Sequence, residues 1–136
     1  MIAATTLKDA ERIVRVTMVI VLLTAGSSKL FSDGGFYEYY SQLFQGDLRI
    51  GLPAGLVNLY LSLIPYVEIL LGLALLVPAT RRFAVLAWFA FMWSLLFGHY
   101  VLQEWSAVNQ MLGYIFLGLL CFILPYHSGL IARDNS

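Results

Sequence analysis

Residues 54–77 form a long apolar run interrupted by one proline, Pro65, and one acid, Glu68. A carboxyl group deep in a hydrophobic span costs about 2.5–3.5 kcal/mol on insertion scales. That cost must be offset by a partner cation, by a hydrated pocket, or by protonation of the acid. Lys29 and His99, each inside or beside another apolar run, are the candidate partners. Pro65 removes one backbone hydrogen bond, and inside lipid the freed carbonyl can be satisfied only within a packed bundle. The run therefore predicts a membrane helix packed against other helices.

The rest of the chain agrees with lipid as the solvent. Of its 136 residues 60% are hydrophobic and 12% charged, about half the charged share of a soluble domain. Mean hydropathy is +0.81. Eight basic and eight acidic residues balance, so nothing in the charge suggests nucleic acid. Cys121 is the single cysteine, and with no Cys-x-x-Cys the chain has no dithiol of its own.

Four spans are expected, at about 13–30, 54–77, 83–102 and 110–126, forming one transmembrane domain over 1–136. The first has the layout of a signal peptide, with Lys8, Arg12 and Arg15 before an apolar core and Ala25-Gly26-Ser27 after it. It is read as a retained span. Thr6 and Asp9 have the spacing of a capping box, which places a short interfacial lead before that span. Small and hydroxylated residues Thr17, Val21, Thr24 and Ser28 recur on one face of span one, and Ala84, Ala87, Phe91, Ser94 and Gly98 on one face of span three. Both faces are expected to pack against neighbouring helices, because close approach drives association in lipid. Between spans one and two, Asp33-Gly34-Gly35 breaks the helix. Phe36–Phe44 then reads as a short amphipathic helix lying at the headgroup level. The fold class is thus an all-α integral membrane four-helix bundle with one interfacial helix.

Lys8, Arg12, Arg15, Arg81, Arg82 and Arg133 fall on the side of the termini, against Lys29 and Arg49 on the other. This bias predicts cytoplasmic termini, with the aromatic loop outside. At 1.5 Å per residue, Glu68 lies roughly 15 Å, Lys29 roughly 20 Å and His99 roughly 24 Å from the cytoplasmic boundary. The inner half is expected to be nearly free of polar groups apart from its basic rim.

Each candidate has a structural and a functional reading. Glu68 is either a structural acid or a proton-carrying or ligand-binding one. Lys29 either snorkels to the outer headgroups or pairs with Glu68. His99 is either a hydrogen-bonded interfacial histidine or part of a binding cluster with the other two. His127 lies at the opposite face, so the chain cannot ligate a haem through two histidines. One histidine, one acid and a lone cysteine do not make a metal site. Cys121 reads as a buried packing residue. An aromatic-lined outer cavity holding Lys29, Glu68 and His99 could receive a quinone headgroup or a lipid.

Ala25-Gly26-Ser27-Ser28-Lys29-Leu30, then Pro65-Tyr66-Val67-Glu68 before Gly72-Leu-Ala-Leu-Leu, then Arg81-Arg82 and His99, resemble the DoxX-like family. The resemblance implies a four-helix membrane bundle, with some members linked to quinone-dependent oxidation of sulfur compounds and others to redox or detoxification complexes. Lys29, Glu68 and His99 fall on its motif positions. The expected function is an accessory or anchoring subunit of a membrane redox complex, in contact with other membrane subunits and without catalysis by this chain alone. The alternatives are a quinone-linked oxidoreductase subunit or a small-molecule or lipid transporter using the same pocket.

Overall fold

The computed structural model describes residues 2–32 and 35–126. The Asp33-Gly34 break, His127, Arg133 and the polar tail lie outside the described residues. The described residues form five helices: α1 (Ala4–Phe31), α2 (Gly35–Phe44), α3 (Ala54–Leu76), α4 (Arg81–Val101) and α5 (Trp105–Ile123). All but α2 are long and apolar enough to cross a membrane. They close a ring in which α1 packs on α3, α3 on α4, α4 on α5 and α5 back on α1. The short α2 lies against α3 and α1.

Where the helices begin and end differs from the hydropathy reading, for local reasons. α1 starts at Ala4, and its N-cap residue, Ala3, makes no side-chain cap. Thr6 is therefore inside the helix, and the expected capping box does not form. With 28 residues α1 is about 42 Å long, so its charged first turns extend past the hydrocarbon core. α5 starts at Trp105, five residues before the apolar run, because Leu102–Glu104 make a compact turn. In it the amides of Gln103 and Glu104 donate to the carbonyls of Tyr100 and His99. Gln103 adopts φ 58°, the left-handed region that a non-glycine residue enters at a cost.

The small-residue face of α1 does not pack as expected. Thr17, Thr24 and Ser28 are exposed, and α1 buries Glu11, Arg15, Met18, Val19, Leu22 and Gly26 instead. The hydroxyls tolerate an apolar surround because they bond to their own helix: Thr17 donates to the Ile13 carbonyl and Ser28 to that of Ala25. Close approach comes from glycine. A Cβ on Gly26 would lie 2.8 Å from the Pro65 carbonyl and 2.8 Å from Ile69 Cγ1, so α1 and α3 meet backbone to backbone there. On the other side of the ring a Cβ on Gly118 would lie 2.6 Å from Trp88. Trp88 is fully buried and its indole N–H donates to the Tyr114 carbonyl at 2.9 Å. Trp93, on the same helix, is 58% exposed. The face predicted for span three is the packed one, with Ala84 and Phe91 buried and Ala87, Ser94 and Gly98 half-buried.

Candidate functional site

Two polar clusters lie inside the bundle, one toward each end. The first brings together the residues singled out in the sequence. Lys29, in the last turn of α1, places its ammonium 2.7 and 2.8 Å from the two Glu68 carboxylate oxygens. Glu68 is buried on the inner face of α3, while Lys29 is half-buried. The ammonium also lies 5.1 Å from the centre of the Phe36 ring of α2, within cation–π range. Two of its three donors serve Glu68, and no further acceptor is found for the third among the described residues.

His99 does not join that pair. Its Nδ1 lies 2.6 Å from a Glu104 carboxylate oxygen, across the Leu102–Glu104 turn. Tyr40 packs edge-on against the imidazole, with ring centres 5.9 Å apart. Nε2 is then the ring nitrogen not engaged by Glu104. Lys29, Glu68 and His99 nevertheless line one cavity of about 340 Å³, within the usual range for small-molecule sites. Phe36, Tyr40 and Phe44 of α2 form one wall of it at helical spacing, facing Tyr60 and Tyr114. Ser94 donates to the Phe91 carbonyl, so the Tyr60 hydroxyl, 2.6 Å away, is the donor to Ser94. α2 is tied to α3 where Ser41 donates to the Asn58 side-chain oxygen at 3.0 Å. Tyr40 is held above its ordinary pKa, first by burial and then by the negative charge of Glu104 and by Tyr39.

The second cluster corrects the expectation that the other half of the bundle holds no polar groups beyond a basic rim. Glu11 is completely buried and accepts hydrogen bonds from two arginines. Arg15 Nε lies 3.1 Å from it, and Arg81 Nε and Nη2 lie 3.1 and 2.8 Å from it. Arg15 also donates to the Leu75 carbonyl, and Arg81 to the Cys121 carbonyl. The Tyr126 ring lies 5.4 Å from the Arg15 guanidinium carbon and 4.6 Å from that of Arg81. Cys121 is fully buried, with its sulfur 3.7 Å from both Arg81 and Glu11. Arg15 and Arg81, counted as headgroup charges in the sequence, are internal. Of the six basic residues on that side, Lys8, Arg12 and Arg82 remain at the rim among the described residues.

Part of this cluster was visible in sequence. Glu11 and Arg15 stand at i and i+4, with the acid on the N-terminal side, a favourable helical pair. Nothing in sequence brings Arg81 to the same carboxylate 70 positions away, or Glu104 across a turn to His99.

Comparison with known proteins corrects the family resemblance. No curated protein and no solved structure matches the chain. The family model described as methylamine utilisation protein MauE matches residues 7–112, and no DoxX-like match is found. The glycine, lysine and acid motifs that suggested DoxX are short and embedded in apolar sequence, so they do not separate one family of small membrane bundles from another. The matched span runs from the first turns of α1 into α5 and includes both ion-pair clusters apart from Cys121 and Tyr126. The chain belongs to the MauE family of methylamine utilisation proteins.

Proposed function

We propose that this multi-pass membrane protein is an accessory subunit of a membrane redox assembly serving methylamine utilisation. The family match carries this reading, because drawing on methylamine as a nutrient requires its oxidation. The burial of the chain's one thiol, Cys121, supports a role beside redox proteins rather than thiol chemistry of its own. In this reading the protein sits in the bacterial inner membrane with both termini cytoplasmic, as the bias of Lys8, Arg12 and Arg82 against Arg49 favours. The α2 wall and its cavity then face outward. Purification from native membranes in mild detergent tests the assignment. Co-migrating membrane or electron-transfer subunits are expected. A monodisperse, partner-free protein would refute it.

A second reading rests on the cavity itself. An aromatic-walled space of about 340 Å³ with an ammonium donor and a histidine suits a quinone headgroup or a lipid. Solvent extraction of the purified protein, followed by mass spectrometry, tests this. A quinone recovered from the native protein and lost in Glu68→Gln supports the cavity as its site. Equal recovery from both proteins counts against it.

A further inference from the structure

Among the described residues, the Glu11 cluster is not electrically closed. One carboxylate serves two guanidiniums, Arg15 and Arg81. A buried charge without a counter-charge is costly. Tyr126 offers both arginines its ring, which supplies a quadrupole and no net charge. Arg81 uses Nε and Nη2 on Glu11 and the Cys121 carbonyl, and these bonds leave Nη1 free. Beside it lies a second cavity of about 260 Å³, lined by Arg81, Arg82, Val85 and Phe122. Arg82 is exposed, Val85 is buried and Phe122 is half exposed. The lining thus combines two guanidiniums with one aliphatic and one aromatic side chain. The same end of the bundle carries Lys8, Arg12, Arg15, Arg81 and Arg82 against Asp9 and Glu11 among the described residues.

We propose that this cavity binds the phosphate group of an anionic lipid headgroup, with Arg81 and Arg82 as its ligands and Phe122 against the start of the acyl chains. Guanidinium and phosphate match in geometry, and the contact is charge-assisted. Arg81 joins the lipid to the Glu11 cluster, so the anion supplies a negative charge that the described residues do not. The position suits a lipid because four spanning helices place this turn at a membrane boundary. Basic pockets between spanning helices at such a boundary are a recurring form of headgroup recognition.

The test is native mass spectrometry of the detergent-solubilised full chain, titrated in turn with phosphatidylglycerol, phosphatidylcholine and inorganic phosphate. Wild type is expected to retain one phosphatidylglycerol more tightly than phosphatidylcholine. Arg82→Gln is expected to weaken that binding by about tenfold or more, the loss of one charge-assisted contact. Arg82→Lys should recover part of it. Arg82 lies outside the buried cluster, so these variants are expected to melt with wild type, which separates lost binding from lost fold. Inorganic phosphate that displaces phosphatidylglycerol at equal concentration would overturn the lipid as the source of the phosphate. Phosphatidylglycerol bound no better than phosphatidylcholine, or equally by wild type and Arg82→Gln, would overturn the site.

Discussion

Replacing Lys29 and Glu68 singly and together measures what their contact contributes to the bundle. Both Glu68 oxygens lie within 2.8 Å of the ammonium, and the carboxylate side chain is only 5% exposed. Lys29→Met leaves that acid buried without its cation, and Glu68→Gln leaves a half-buried ammonium facing a neutral amide. Breaking a buried pair from one side costs about 3–5 kcal/mol. The Lys29 side chain is 19% exposed and can partly rehydrate, so the lower end, about 3 kcal/mol for each single variant, is expected. Directly bonded partners couple by up to about 3 kcal/mol. The double variant should therefore cost about as much as one single variant. The assay is reversible unfolding in mixed micelles, followed by helix content. Single losses that add within about 0.5 kcal/mol would show that the two side chains act independently, and the argument for the pair would fail.

Further outcomes follow from other contacts. Glu11→Gln should destabilise the protein by about 3–5 kcal/mol, because two arginines lose one shared carboxylate in a fully buried place. Asp9→Asn, which removes the pair between an exposed carboxylate and half-buried Arg12 at 3.6 Å, should cost less than about 1 kcal/mol, and equal melting losses would contradict the distinction. Gly118→Ala pushes a methyl to within 2.6 Å of Trp88 and should cost about 1–3 kcal/mol, with a shift in tryptophan emission. An unchanged emission and melting point would mean that α4 and α5 do not meet there. Burial, Glu104 and Tyr39 raise the Tyr40 pKa, so the folded protein holds the phenol proton more tightly than the unfolded chain does. Its contribution to stability is complete below about pH 10 and is lost as pH rises through the folded value. The difference between the tyrosinate absorbance titrations of wild type and Tyr40→Phe should give a midpoint above 10, and one at or below 10 would refute the assignment.

The apolar runs and the Phe36–Phe44 segment were enough to define four spanning helices and an interfacial one, because hydropathy and local propensity act over neighbouring residues. The ends of α1 and α5 were misplaced because hydropathy does not register a helix that continues into polar sequence, and the Leu102–Glu104 turn has no glycine or proline to mark it. The same limit applies to the packing faces. Thr17, Thr24 and Ser28 looked like a contact surface, but the hydroxyls of Thr17 and Ser28 are satisfied within α1, so they required no neighbour. Lys29, Glu68 and His99 stood out because each is costly in lipid on its own.

Sequence alone determined that this chain crosses a membrane with four helices and that Glu68 had to be compensated, since both follow from the cost of placing residue types in hydrocarbon. Tertiary structure decided which groups do the compensating. Lys29 goes to Glu68, His99 to Glu104, and Glu11 is shared by Arg15 and Arg81. Those choices depend on how α1, α3, α4 and α5 are set against one another, and that is governed by close contacts at Gly26 and Gly118, whose effect appears only once the helices meet.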